Sequence, residues 1–344
     1  MDKKFMLRAV DLALNGKGKV SPNPLVGSVI VKNGSIIGEG FHGFYGDSHA
    51  EINALNSCTE SPKGGTLYCN LEPCSTSYPG KINPPCCEAI IKAEIKRVVI
   101  GQIDPNPMVS GAGINILKAA GIGVITGIEL EECLKLNTGF NCVMLNNRPF
   151  VHLKWAQTLD GRIASKNGES KWITNLDCRI DSHLHRSNSD SILVGTKTLI
   201  NDNPTLTTRY GFAPSPRPII LSKEITGTSN LEVCKNNPLY LNYSHNTNPP
   251  ISKILEDIKK EGLNSVFVEG GASLITSFLN SNLWDRITVY TAPRILGEGL
   301  NSVGDLNILH PDSSITFSRT EIRIIDNHII FNGWNKGSFL CLQD

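Results

Sequence analysis

His49-Ala50-Glu51, followed by Pro73-Cys74 and then by Pro84-Pro85-Cys86-Cys87, is the stretch on which the reading of this chain turns. His49 opens a helical segment, and the Pro-Cys pairs stand where loops run into helices. One histidine and two cysteines are good zinc ligands, and three protein ligands leave a fourth position for water, as a catalytic centre needs. Zinc lowers the pKa of such a water toward neutrality. Glu51, two residues past His49, is then placed to take the proton from the water and hand it to a leaving amine. Two other readings stay open at this point. Cys74 and Cys86 could be small buried residues, or Cys87 or Cys69 could complete a closed structural site. Cys58, Cys133, Cys142, Cys178, Cys234 and Cys341 read as core or incidental, and His42 as a packing or hydrogen-bonding residue.

Working outward, Phe5, Ala9, Val10, Ala13 and Leu14 recur at helical spacing before Gly16, which predicts an amphipathic first helix. Leu25 to Val31 and Ile36 to Glu39 flank Asn33-Gly34, a dipeptide suited to the positive φ angles of a two-residue hairpin turn. After the helix at His49 come a strand from Thr66 to Leu71, a helix from about Cys87 to Glu94, and a strand from Arg97 to Gly101. A helix from about Ile114, a strand near Val124 and helical sequence from Glu129 to Leu145 complete a layered α/β domain. Asn146-Asn147-Arg148-Pro149 marks the boundary. The alternation restarts with strands at Phe150 to Trp155, Ser191 to Gly195, Pro218 to Leu221, Leu239 to Tyr243, Ser265 to Glu269 and Arg286 to Ala292. Helices are expected at Leu176 to Arg186, at Ile251 to Glu261 and from Ser273.

Composition sets the outer limits. A chain of 344 residues with 40% apolar residues fits two globular domains. Thirty-three basic against 32 acidic residues give a formal charge of +1, with no general footprint for nucleic acid or an anionic membrane. Arg8 and Asp11 interrupt the apolar run at the start, and no stretch approaches a membrane span of about 18 apolar residues. A cytoplasmic protein is expected. In that reducing compartment the ten cysteines are not read as disulfides.

The second half has no G-x-G-x-x-G after a strand, since Gly111-Ala112-Gly113 lacks the third glycine. It does have Val266-Phe267-Val268-Glu269-Gly270-Gly271-Ala272-Ser273-Leu274, an apolar strand that breaks at two glycines and enters a helix. Free N–H groups and the helix dipole suit a phosphate there, although paired glycines at such a turn are as often structural.

H-x-E with two Pro-Cys pairs is the signature of zinc deaminases of nucleobases. Here eleven residues separate Cys74 from Cys86 where the common motif has two, and Pro79, Gly80, Pro84 and Pro85 let that connection fold back. With Asn23-Pro24 and Leu25-Val26-Gly27 upstream, and Gly80-Lys81 ahead of Pro84 to Cys87, the first half resembles the deaminase domain of the RibD family of bifunctional riboflavin-biosynthesis proteins. Lys154, Thr158 to Ala164, Gly168-Glu169-Ser170, Trp172-Ile173-Thr174, Gly195-Thr196 and the series Thr198, Asp202, Pro204, Leu206, Thr207 and Arg209 resemble the reductase blocks of the same family. So do the Val-Glu-Gly-Gly segment and Ala292 to Gly297, and the likeness runs from about residue 4 to about residue 335. In one loop the chain departs from it: Ser75-Thr76-Ser77-Tyr78 follows Cys74 where the family commonly has a histidine.

The resemblance implies a cytidine-deaminase-like three-layer α/β domain over residues 1–146 and a dihydrofolate-reductase-like α/β domain over residues 147–344. It implies Zn2+ and NADPH as cofactors, and a small pyrimidine ribosyl phosphate as substrate. A diaminopyrimidinone carrying a ribosylamino 5-phosphate would be deaminated, and its ribosyl group then reduced to ribityl. A homo-oligomer without nucleic-acid or membrane partners is expected. By position, His49, Cys74 and Cys86 would hold the metal, with Glu51 catalytic. Ala156, Trp172, Thr198, Asp202, Ser222 and the turn Gly271, Ala272, Ser273, Leu274, Ile275, Thr276 and Ser277 would hold NADPH. Asn23, Lys154, Ser170, Arg186, Leu206, Arg209 and Glu269 would meet substrate, with Arg186 and Arg209 as guanidinium forks for the phosphate. The alternative for Trp172 is a core aromatic, and for Asp202 a helix cap. The rival functions are a nucleic-acid-editing zinc deaminase with an unrelated C-terminal binding module, and a non-catalytic zinc-stabilised nucleotide binder. Neutral charge and the lack of a basic, aromatic-studded sheet speak against the first.

Overall fold

The computed structural model describes residues 1–75, 85–107, 109–222, 231–242 and 249–338. Residues 76–78 of the departing loop, Pro79, Gly80, Lys81, Pro84, Tyr243 and Cys341 lie outside the described residues, as does the side chain of Ser222. The chain divides into two compact units, Met1–Asn147 and Arg148–Asp344.

The first unit runs α1 (Asp2–Ala13), β1 (Gly27–Lys32), β2 (Ser35–Phe41), α2 (Ala50–Asn56), β3 (Thr66–Leu71), α3 (Cys86–Lys92) and β4 (Arg97–Gln102). It closes with α4 (Ala112–Ala119), β5 (Gly123–Thr126), α5 (Leu130–Leu136) and α6 (Thr138–Asn146). The sheet order is β2-β1-β3-β4-β5, antiparallel between β2, β1 and β3 and parallel from β3 to β5. The hairpin turns at Asn33 and Gly34, with φ of 51° and 80°. Side chains alternate along the strands. Ile30, Leu67, Val98 and Ile100 pack with Ala54 of α2, Ile90 of α3 and Leu117 of α4. Val29, Tyr68 and Val99 pack on the opposite face with Met6 and Ala9 of α1 and Cys133 of α5. Three layers follow from that period of two. The apolar face of α1 differs from expectation at one point: Leu14 falls in a 3-10 turn and is 47% exposed, while Met6 and Leu12 are buried.

The second unit begins with β6 (Phe150–Thr158), β7 (Arg162–Ser165), α7 (Leu176–Ser187), β8 (Ser191–Val194), α8 (Thr196–Asp202), β9 (Arg217–Ser222) and β10 (Leu239–Asn242). Then come α9 (Ile251–Lys260), β11 (Ser265–Val268), α10 (Ala272–Ser281), β12 (Arg286–Ala292), β13 (Gly299–Asn301), β14 (Arg319–Ile325) and β15 (His328–Trp334). The main sheet has the order β10-β9-β8-β11-β6-β12-β15-β14, parallel as far as β12 and antiparallel beyond it; β7 and β13 pair separately. Helices α9 and α10 cover one face through Ile254, Leu255, Ile258, Ile275 and Phe278. On the other, Cys178 of α7 meets Tyr290 and Ile330. Arg148 enters the unit through a bidentate pair with the fully buried Asp285, at 2.5 and 2.8 Å, and Asp285 also accepts the Val151 N–H at 2.8 Å.

Candidate active sites

In the first unit His49 is the N-cap of α2, with extended backbone (φ −69°, ψ 158°), so its ring leads the helix and Glu51 sits in the first turn behind it. Cys86 begins α3 directly after Pro85, and Cys74 lies in the loop leaving β3. The His49 Nδ1 atom is 3.2 Å from Cys86 Sγ and 3.4 Å from Cys74 Sγ, and the Cys86 N–H donates to Cys74 Sγ at 3.3 Å. All three ligand atoms lie within 4.8 Å of one another, and among the described residues no other histidine, cysteine or carboxylate joins them. Two sulfurs and an imidazole nitrogen at this separation fit a zinc ion with one position left over. The closed four-ligand arrangement does not arise among the described residues. Cys87 donates its thiol to the Pro73 and Gly113 carbonyls, and Cys69 is buried in the core.

The charges are arranged for this chemistry. The hydrogen bond from the Cys86 thiol, helped against burial by His49, holds the Cys74 thiol down at about 3. Donation to Cys74, together with burial, drives the Cys86 thiol upward. Burial, and then the negative Cys74 sulfur, push Glu51 up to about 7, against the opposing pull of His49. Glu51 is only 3% exposed.

Supporting residues surround this centre; His42 hydrogen-bonds and packs as expected, while Asn70, Asn137 and Glu72 were missed by the sequence reading. His42 Nδ1 faces the Ser48 carbonyl at 3.1 Å, which can only accept, so the proton sits on Nδ1 and Nε2 accepts from the Asn23 amide at 3.1 Å. The His42 ring lies edge-on to His49 with centroids 5.8 Å apart. Asn70 and Asn137, both buried, grip the Leu25 and Gly27 backbone just after Asn23. Glu72, ahead of Pro73-Cys74, accepts the N–H groups of Asp104, Gly111, Gly113 and Ile114 at 3.0–3.2 Å. Gly111-Ala112-Gly113 therefore wraps a carboxylate. No local motif announces Asn70, Asn137 and Glu72, because each acts on backbone distant in sequence.

The second unit contains a cavity of about 1330 Å3. A site for one drug-sized ligand is roughly 300–1,000 Å3, so there is room for a coenzyme and a second molecule. Ala156, Trp172, Thr198, Asp202, Gly271, Ala272, Ser273, Leu274 and Ser277 line it, as do Lys154, Ser170, Arg186, Arg209 and Glu269. Three expected residues do not present side chains there. Helical rotation turns Ile275 into the core and Thr276 toward the Ala272 carbonyl and the Gly304 N–H. Leu206 packs among Ile192, Val194 and Ile220, leaving only its backbone for a ligand. Trp172 is no core aromatic: it is 58% exposed, with the Arg179 guanidinium 4.3 Å from its ring centroid. Asp202 ends α8, so it is not an N-cap.

Arg186 departs from the free fork that was expected. Its Nε and Nη2 donate to the two oxygens of Glu269 at 2.8 Å, and Nη1 donates to the Thr207 carbonyl at 2.9 Å, leaving two of its five N–H groups. Burial would raise Glu269, but Arg186 and Lys154 hold it well below the usual carboxylate range. Lys154, lowered by burial, sits 5.5 Å over the Tyr290 ring. Arg179 and His183, which the sequence did not single out, face the same cavity from α7.

Fold and sites together define a two-domain enzyme, a zinc-type deaminase followed by a reductase. Residues 1–102 match the cytidine and deoxycytidylate deaminase zinc-binding region, and residues 149–331 match the RibD C-terminal domain. Riboflavin biosynthesis protein RibD of Aquifex aeolicus is 38% identical over 352 residues, covering 96% of this chain and 97% of that protein. The Escherichia coli protein of the same name is 36% identical, covering 86% of this chain and 89% of its own length. The structure also resembles that of a diaminohydroxyphosphoribosylaminopyrimidine deaminase/5-amino-6-(5-phosphoribosylamino)uracil reductase from Thermotoga maritima. That likeness has a TM-score of 0.86 at 35% identity, covering 97% of this chain and 98% of the other. Acinetobacter baumannii RibD gives 0.84 at 34%, with the same coverage. The chain belongs to the RibD family and is a bifunctional deaminase and reductase of riboflavin biosynthesis. The reading as a nucleic-acid-editing deaminase is not favoured, because the C-terminal unit is a reductase domain.

Proposed function

We propose that the first unit hydrolytically deaminates a diaminopyrimidinone carrying a ribosylamino 5-phosphate, and that the second reduces the ribosyl group of the product with NADPH. The observation that carries this reading is the convergence of His49, Cys74 and Cys86 beside the buried Glu51. Zinc held by these three side chains would supply Lewis acidity and lower the pKa of a water toward neutrality. Glu51 takes a proton from the attacking water as its oxygen bonds to the ring carbon, and returns a proton to the amine, which leaves as ammonia. Asn23, its amide held by His42, whose ring lies edge-on to His49, holds the pyrimidine.

In the second unit the coenzyme lies against Ala156, Trp172, Thr198, Asp202, Ser222 and the first turn of α10, and NADPH when bound supplies the hydride. The N–H groups of that helix start and the lack of a side chain at its N-cap Gly271 suit its phosphates. Ser170, Arg209, the free N–H groups of Arg186 and the Leu206 backbone hold the substrate, with Arg209 on the 5-phosphate. Lys154, kept beside Glu269, donates a proton to the ribose ring oxygen as its bond to C1 breaks. The test is incubation with the diaminopyrimidinone, with and without NADPH, followed by ammonia assay and mass measurement. Ammonia release without NADPH and a reduced product only with it are expected; no ammonia from the zinc-loaded protein would refute the reading.

A further inference from the structure

Helix α7 turns Arg179, Ser182, His183 and Arg186 to the cavity, the spacing of a single helical face. Two of these four hold the loop that carries Arg209. Arg186 Nη1 donates to the Thr207 carbonyl at 2.9 Å, and the Arg209 backbone N–H donates to His183 Nδ1 at 3.1 Å. The loop needs such holding, because Leu206 and Tyr210 have φ of 56° and 61°, a region non-glycine side chains disfavour. The Tyr210 ring also meets the His183 ring edge-on, with centroids 5.1 Å apart. Since Nδ1 accepts an N–H, the imidazole is neutral with its proton on Nε2. Burial, then the charges of Arg186 and Arg209, hold its pKa at about 4.

We infer that His183 is the positioning residue for Arg209, setting through one backbone hydrogen bond the direction in which the guanidinium enters the cavity. The inference rests on the reading above that Arg209 grips the 5-phosphate. Preference for the phosphorylated pyrimidine over its dephosphorylated nucleoside then depends on an imidazole acting through the Arg209 backbone.

The experiment compares kcat/KM for NADPH-dependent reduction of the phosphorylated substrate and of the nucleoside, using the full chain as wild type, H183F, H183N and R209L. Phenylalanine keeps the ring contact with Tyr210 but offers no acceptor, while the asparagine carbonyl offers the acceptor without the ring. H183F is expected to lower the preference for the phosphorylated substrate about tenfold, the effect of one lost hydrogen bond. The loss should appear in the KM for that substrate, with the NADPH KM and deamination unchanged. H183N should recover most of the preference, and H183F should add nothing in an R209L background. A merely structural role would depress both substrates alike, and that outcome, or an unchanged preference in H183F beside an impaired R209L, overturns the inference alone. If R209L itself keeps the wild-type preference, the phosphate reading of Arg209 fails and the inference falls with it.

Discussion

Glu51 shows how one side chain acquires its role from its surroundings. Two residues past His49 it lies in the first turn of a helix, and burial, then the Cys74 sulfur, push its carboxyl upward, at a place from which it can accept a proton and return it. Glu51→Gln preserves shape and removes that capacity. Deamination should fall roughly 100- to 10,000-fold, while metal content and NADPH-dependent reduction persist. Near-normal ammonia release from this variant would take Glu51 out of the mechanism. The adjacent cysteines are separated by helical rotation, Cys86 toward His49 and Cys87 toward the Pro73 and Gly113 carbonyls. Cys86→Ala should therefore lose zinc and Cys87→Ala retain it, as read by metal analysis of the purified proteins; the reverse ranking would shift the ligand by one residue.

Among the elements, strand β12 and the entry to β6 depend on one buried ion pair. Asp285 accepts from both Arg148 nitrogens and from the Val151 N–H, in a site where it has no exposure. Removing one partner of such a pair strands the other charge and typically costs about 3–5 kcal/mol. Asp285→Ala should destabilise the reductase unit by that order in urea unfolding followed by tryptophan fluorescence. Deamination should persist at urea concentrations where reduction is already lost. If both activities disappear together, the pair matters beyond its own unit.

For the whole molecule, acid is the informative stress. In the reductase unit His152 lies well below its ordinary value of 6.5, His183 at about 4 and His185 at about 3, each chiefly through burial. The unfolded chain takes protons on these rings below about pH 6.5 while the folded one does not, so stability is full above that pH and falls as pH drops toward 4. Asp181 and Glu269, held as carboxylates by Arg323 and Arg186, act in the same direction. Unfolding midpoints at pH 7, 6 and 5 should decline steadily for the reductase unit, and a flat profile would show that these rings are not kept neutral.

Local physics was enough for much of this protein. The Asn33-Gly34 turn, the largely apolar run from Leu67 to Leu71, the helical spacing near the start and the cysteine behind the helix-opening Pro85 are properties of neighbouring residues, so they are legible in order of sequence. The family likeness rests on those same blocks. Strand β14 was not read from the sequence although Glu321-Ile322-Arg323-Ile324 alternates; it is an edge strand that leaves Ile322 and Ile324 exposed, so its apolar residues mark no core face. The tertiary structure alone decided the rest. His49 meets Cys86 across 37 positions, and Arg186 meets Glu269 across 83. Orientation of Asn23 by His42, wrapping of Glu72 by glycine N–H groups and anchoring of Arg209 by His183 are likewise contacts between distant segments. Hydrogen bonds of a few ångströms and the desolvation that shifts a pKa depend on which surfaces the fold brings together, and residue spacing along the chain does not encode that choice.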